Sequence, residues 1–183
     1  MKVSREQMAE NRIRILDEAG RLFREKGFEA VTVAEVMKAA GLTHGGFYGH
    51  FASKDDLIAH ALQRDLKASV AKTSDFRAFI DGYLSRAHRD NPGNGCPTAG
   101  LAAETRHEGL SARAAMTVGL REQIDHVSRL LPEGNDADRR RRAIGSWAAM
   151  VGAIILARAV DDASLSDEVL EQTRAWIDAG LDD

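Results

Sequence analysis

Apolar residues return at three- and four-residue intervals along almost the whole chain, the spacing of one buried stripe on a helix. In the first segment Ile15, Leu16, Ala19, Leu22 and Phe23 form that stripe, while Arg14, Asp17, Glu18, Arg21, Arg24 and Glu25 take the other faces, and Gly27 closes it. Thr32-Val33-Ala34-Glu35 opens a second helix as a capping box: Thr32 caps the amide of Glu35, and Glu35 is expected to reach back to that of Thr32. Val36, Met37 and Ala40 face inward, and Gly41 ends this helix after barely two turns. Thr43 is the expected N-cap of a third short helix, His44-Gly45-Gly46-Phe47-Tyr48-Gly49-His50-Phe51. Each glycine there costs about 1 kcal/mol relative to alanine. Tertiary contacts must hold such a helix, and Phe47 and Phe51, four apart, are the anchors. Ser53 caps a fourth helix, with Asp56 at the box position and Leu57, Ile58, Ala61 and Leu62 on its buried side. Five more helices follow, near 75–90, 97–107, 112–131, 137–160 and 166–180. Nothing alternates with period two, so the expected fold is all-α with about nine helices.

Composition narrows this. The 183 residues contain three prolines, Pro92, Pro97 and Pro132, which leaves the first 91 positions open to uninterrupted helix. The single cysteine, Cys96, excludes an intrachain disulfide and a multi-cysteine zinc site. The charged N-terminus lacks the apolar stretch of a secretory signal, which predicts a cytoplasmic protein. Ala143 to Ala157 carry no charge, but a membrane span needs about 20 apolar residues, so a buried helix is expected and no membrane partner. No phosphate-binding Gly-x-x-x-x-Gly-Lys, nucleophile-elbow Gly-x-Ser-x-Gly or His-Glu-x-x-His occurs. Asp161-Asp162, Asp182-Asp183 and Arg139 to Arg142 read as solvated charge. An enzyme is not expected, nor a metal or cofactor.

The pair of short helices joined by Gly41-Leu42-Thr43 has the signature of a helix-turn-helix, whose second helix enters the major groove of DNA with its leading residues at base edges. An αα-turn in a plain bundle has the same outline. On the first reading, glycine at 45 and 46 lets the backbone approach a duplex, and Thr43 and His44 offer hydrogen-bonding groups at the leading end. Tyr48 and His50 sit further along, Lys54 brings a cation to a phosphate, and the helix start at Thr32 is an anion site. The formal net charge is −3, and residues 1–60 carry nine basic and nine acidic side chains, so any attraction for DNA must be local. Residues 39–53 contain no acidic side chain.

The stretch Arg12 to Ile58 closely resembles the DNA-binding domain of TetR-family regulators. The likeness rests on Ile15-Leu16-x-x-Ala19-x-x-Leu22-Phe23, Gly27-Phe28, Thr32, Ala40-Gly41, Gly46-Phe47-Tyr48-x-His50-Phe51 and Lys54-x-x-Leu57. It implies base contacts from Thr43, His44 and Gly45, and phosphate contacts from Thr32, Tyr48, His50 and Lys54. It also implies a three-helix DNA-binding domain over 1–52 and a helical regulatory and dimerisation domain over 53–183. Val36-Met37 stands where the family usually has Ile-Ala. Gly45 and Gly49 leave the recognition segment bare, which lowers the number of direct base contacts and raises the share of indirect readout.

By the same resemblance the protein is expected to be a repressor, binding a palindromic operator as a homodimer and released by a small-molecule inducer. Ile144, Trp147, Val151, Ile154 and Ile155 make the 137–160 helix apolar nearly all round, so it must be buried on more than one side. With the 166–180 helix (Val169, Leu170, Thr173, Trp176, Ile177) it forms either the dimer interface or the rest of a monomer core. Phe76, Phe79, Tyr83, Cys96, Leu101, Met116 and Trp147 are candidates for lining an inducer pocket, though such a stripe is also what a plain core looks like. Cys96 begins a helix with Pro97 at its first position, a setting that favours thiolates in general. It also lies in a Gly-Cys stretch similar to that of family members that sense oxidants or electrophiles. The alternatives are therefore such a sensor, a small buried hydrophobe at that position, or a helical protein-interaction module.

Overall fold

The computed structural model describes residues 4–69, 75–132 and 134–182, and every regular element among them is helical. Lys2 and Asp183, counted above among the charges, lie outside the described residues. Helix α1 (Arg5–Lys26) starts where the Ser4 hydroxyl accepts the amide of Gln7 at 3.1 Å. It ends at Gly27, whose φ of +84° few other residues tolerate. Helix α2 (Val33–Ala39) is capped as expected, Thr32 Oγ1 accepting the Glu35 amide at 3.2 Å. The Glu35 carboxylate feels the Thr32 backbone amide, as the box requires, and also takes Lys26 Nζ at 2.6 Å, the stronger of the two bonds. Beyond α2 the amide of Gly41 bonds the carbonyl of Lys38 (3.0 Å), and that of Leu42 bonds the carbonyl of Met37 (2.8 Å). This pairing is a Schellman turn, and it requires the φ of +69° found at Gly41.

The third segment, His44–Gly49, is a 3₁₀ helix rather than an α-helix. Three glycines cannot sustain α-helical propensity, so the backbone winds to suit its two anchors. Phe47 and Phe51 are 1% and 2% exposed, and their rings stack at 5.8 Å. Thr43 occupies the cap position but its side chain caps nothing. Helix α3 (Lys54–Ala68) has a reciprocal cap, Ser53 taking the Asp56 amide and Asp56 Oδ2 taking that of Ala52. Its apolar side (Leu57, Ile58, Ala61, Leu62, Leu66) closes one core with α1, α2 and the 3₁₀ segment.

A second core lies beyond. The single helix expected over 75–90 is two, α4 (Phe76–Tyr83) and α5 (Arg86–Arg89). The break comes at Leu84, because Ser85 caps the amide of His88 at 3.1 Å and starts a new turn. Helix α6 (Pro97–Thr105) runs from this core back to the first, with Cys96 at its N-cap and Pro97 at the first position. Helix α7 (Leu110–Leu130) lies along α3, and Gly119 lets it in: an added Cβ would stand 2.6 Å from Leu66 Cβ.

Helices α8 (Asp136–Ala159) and α9 (Ala163–Asp182) pack on each other, and α8 also on α7. By length and composition alone α8 is apolar enough to cross a membrane. One face of it is buried in the second core, through Ala143, Trp147, Met150, Ile154 and Ala157. The expectation that α8 is buried on more than one side is not met within a single chain. Ile144, Ile155 and Leu156 are 44%, 42% and 57% exposed, because α7 and α9 cover only one flank.

Candidate functional site

The Schellman turn after α2 projects the 3₁₀ segment out of the first core, with only Phe47 turned inward. Thr32, Thr43, His44, Gly45 and Tyr48 are exposed, Tyr48 at 72%, and His50 and Lys54 are partly so. Thr43, His44, Gly45, Tyr48 and His50 thus lie on or at the ends of one exposed segment, while Thr32 caps α2 and Lys54 opens α3. Gly45 carries its own argument: an added Cβ would meet nothing within 4 Å, so the fold itself does not need glycine there. What glycine leaves is a surface on which another molecule can come close to backbone. Lys54 Nζ rests on the Glu29 carbonyl at 3.3 Å, a long contact that leaves its charge free for a stronger acceptor.

Arg12 holds the segment from behind. Its guanidinium donates to the carbonyl of His50 and lies over the Phe51 ring, 4.1 Å from the centroid. The sequence reading missed this residue, and with 38 positions between the partners there is no local signal for it. Burial first, and the Arg12 charge second, hold the His50 imidazole below the ordinary histidine range. His50 is therefore neutral at pH 7. If His50 meets a phosphate, affinity for DNA rises as pH falls through the pKa of the complex and levels off below the lowered pKa of the free protein. Anisotropy titrations at fixed salt, stepped downward from about pH 7.5, are expected to show that rise. His50→Gln is expected to lose part of it; an unchanged slope would take His50 off the interface.

A second site lies in the other core, an open cavity of about 680 Å³. Of the candidate pocket residues Phe79, Tyr83, Cys96 and Trp147 line it. Leu101 and Met116 do not. Leu101 is on the far face of α6, buried in the first core, and Met116 packs against that core from α7. Phe76 is buried in the second core behind Phe79 without reaching the lining. Reasoning from aromatic stripes missed the polar members, among them Arg24, Asp65, His88, Asn91 and Asn94. His88 Nδ1 donates to the Tyr83 carbonyl (2.7 Å), so the bare Nε2 accepts the Cys96 amide (2.9 Å). Burial, opposed by that carbonyl and aided by Arg158, lowers its pKa and keeps the ring neutral. Burial, then the neighbouring Cys96 thiol, pushes the Tyr83 phenol well above its usual range, so it remains an O–H donor.

Specific bonds tie the elements around the cavity to α1, α3 and the turn that follows α1. Arg24, on α1, donates Nε to the Gly93 carbonyl at 2.8 Å and pairs with Asp65 of α3. On α6, which starts at Cys96, Glu104 Oε2 accepts the amide of Phe28 at 2.7 Å, beside the turn that ends α1. Among the described residues no group of three or more His, Cys, Asp or Glu is arranged to hold a metal.

An all-α chain with a capped helix, a glycine turn and an exposed second segment is a helix-turn-helix protein. Residues 15–61 match the family described as bacterial regulatory proteins, tetR family, so this stretch is a domain of that type. An HTH-type transcriptional regulator of Staphylococcus aureus (strain bovine RF122 / ET3-1) is 36% identical over 81 residues, 44% of this chain and 42% of that relative. The chain therefore matches less than half the length of that protein. Among solved structures, Escherichia coli NemR in its reduced form aligns over 91% of this chain and 94% of its own, with TM-score 0.74 and 24% identity. A TetR-family transcriptional regulator from Agrobacterium tumefaciens aligns over 93% and 98%, with TM-score 0.73 and 22% identity. At these identities the likeness establishes the fold.

Proposed function

We propose that the protein is a cytoplasmic transcriptional repressor that binds a palindromic operator as a homodimer and releases it when a small molecule enters the cavity of the second core. Residues 1–52 read DNA and residues 53–183 regulate and dimerise. The observation that carries the reading is the protruding segment 43–50, free of acidic side chains and bearing a glycine the fold does not require. Thr43, His44 and Gly45 approach base edges, while Thr32, Tyr48, His50 and Lys54 take phosphates. None of these is an arginine fork, so one domain binds modestly and two are needed.

The outer face of α8 and α9 supports the pairing. Leu156, Ile144, Ile155, Leu165 and Trp176 are exposed there, Trp176 at 64%. Gly152, Leu156, Val169, Thr173 and Trp176 line a shallow groove between the two helices. An apolar face of this extent on two adjacent helices suits a self-complementary four-helix contact. Leu156→Arg, at a side chain 57% exposed, is expected to give a folded monomer. Sedimentation is expected to show the halved mass, and gel shifts an operator affinity lower by at least about tenfold. A variant that stays dimeric would move the interface elsewhere.

Release follows from the bonds that tie the cavity to the DNA-binding unit. A ligand that displaces the start of α6 draws Glu104 from the Phe28 amide, and one that displaces Arg24 loosens α1 from Gly93. Either changes the angle at which the two 3₁₀ segments meet a duplex.

A second reading, an oxidant- or electrophile-responsive regulator, has one observation in its favour. Cys96 lines the cavity at the N-cap of α6, with the Arg24 and Arg158 guanidiniums close enough to feel its charge. DNA binding that is abolished by hydrogen peroxide in the parent but not in Cys96→Ser would favour it. Equal response of the two proteins would remove it.

A further inference from the structure

Two hydrogen-bond donors in the cavity wall have no acceptor. The Tyr83 hydroxyl and the Trp147 indole N–H are buried, on side chains 8% and 5% exposed, and neither finds a partner. The Tyr83 hydroxyl has only the Cys96 thiol beside it, a weak acceptor that a carbonyl oxygen would outcompete. Leaving such groups unpaired is costly, and natural folds rarely do it without a use. Both residues line the same cavity and belong to one aromatic cluster, but the two polar atoms themselves expose almost no surface, so a ligand reaches them through a small turn of either side chain. Trp147 stacks on Phe79 (6.2 Å, 14° between planes) and meets Tyr83 edge-on at 5.2 Å.

The charges of the wall are already spent. Arg24 is paired with Asp65 and bonded to Gly93, and His88 is neutral with both ring nitrogens engaged. Arg158, just behind, donates to the carbonyls of His88 and Arg89. Asn94 donates to Asn91, and Ser69 and Ser85 donate to the carbonyls of Leu66 and Gly82. The described lining therefore offers aromatic surface, these neutral polar groups and two buried donors without an acceptor. It offers no free ion.

We propose that the cavity selects an uncharged, flat aromatic compound bearing a hydrogen-bond acceptor such as a carbonyl oxygen, which the Tyr83 hydroxyl and the Trp147 N–H bind while its ring extends the Phe79–Trp147 stack. The inference rests on the reading of this cavity as the inducer site and names the chemical class of the inducer. The ligand's acceptor supplies what the two donors lack, and its ring adds edge and face contacts to an existing cluster. A carboxylate would have to part Arg24 from Asp65 or stay unpaired in an apolar wall, which disfavours acids.

Three probes of one size and ring system separate these terms: 2-acetylnaphthalene, 2-isopropylnaphthalene and 2-naphthoate. Calorimetry on the full chain is expected to rank the ketone first, about five- to tenfold tighter than the isopropyl compound, with naphthoate weakest. Tyr83→Phe keeps the ring and removes one donor. It is expected to fold with undiminished thermal stability and to shrink the preference for the ketone to less than about half, leaving isopropylnaphthalene binding unchanged. Trp147→Phe is expected to act in the same direction, which keeps the test alive if one variant is unstable. Equal binding of ketone and hydrocarbon, tightest binding of naphthoate, binding of none of the three, or a preference that survives both substitutions would overturn the proposal. Release of operator DNA, measured in parallel, addresses the other reading. A ketone that binds with the expected selectivity but leaves the DNA complex intact upholds the ligand class and sinks the inducer role. Release by naphthoate alone does the reverse.

Discussion

Tyr48→Ala is expected to weaken operator binding by about 30- to 100-fold while leaving the thermal midpoint within a degree or two of the parent. The side chain is 72% exposed, and its chief contact within the chain is an edge-on approach to Phe47 at 5.3 Å. Surface changes of this kind alter stability by about 0.5 kcal/mol at most. In the proposed complex the same hydroxyl faces phosphate; at a solvated edge such a bond contributes roughly 1–1.5 kcal/mol net, the upper part of the ordinary hydrogen-bond range, and a dimer loses it twice. Two such losses come to about 2–3 kcal/mol, the stated range of affinity. Tyr48→Phe separates hydroxyl from ring and is expected to show most of the effect. Anisotropy titrations beside thermal melts decide it: intact affinity would remove Tyr48 from the interface, and a collapsed midpoint would make it a structural residue.

The largest stability effect is expected at Asp65. Its carboxylate pairs with Arg24, and the two side chains are only 14% and 11% exposed. Burial already pulls the Arg24 pKa down, a sign that its charge is held at a cost. Asp65→Ala strands that charge, and breaking a buried pair by removing one partner costs about 3–5 kcal/mol. In a chain of this size the thermal midpoint is expected to fall by roughly 6–15 °C. Removing both charges, Arg24→Met with Asp65→Ala, is expected to recover part of the loss, because no buried charge is left unpaired although the Gly93 carbonyl loses its donor. Chemical denaturation of the four proteins of this cycle measures it. A single variant as stable as the parent would mean that water or another cation compensates Arg24.

Much of this fold could be read along the chain because its signals are local. The Thr32 cap, the glycine turn at 41 and the Phe47–Phe51 pair each act within a few residues, and all three are in place. What escaped is non-local. Arg12 reaches His50, Arg24 reaches Gly93 and Asp65, and Glu104 reaches Phe28 across gaps that carry no periodic signature. The cavity was half legible for the same reason. Aromatic spacing pointed to Phe79, Tyr83 and Trp147, but it has no way to tell that Leu101 faces the first core while Cys96, one turn earlier on α6, faces the second. Periodicity likewise marked α8 as apolar all round without saying which flank its own chain would cover. The 3₁₀ winding of residues 44–49 shows propensity yielding to packing: too glycine-rich for an α-helix, the segment takes the shape its two phenylalanines allow.

A homodimer of the proposed kind places two copies of the 43–50 segment in one duplex together. Selection of bound sites from random double-stranded DNA tests it most directly. The expected product is an inverted repeat whose half-site centres lie about one helical turn apart, roughly 34–36 Å, enriched by the parent protein and lost with Tyr48→Ala. Recovery of a single unrepeated site, or of the same repeat by the Tyr48 variant, would contradict it.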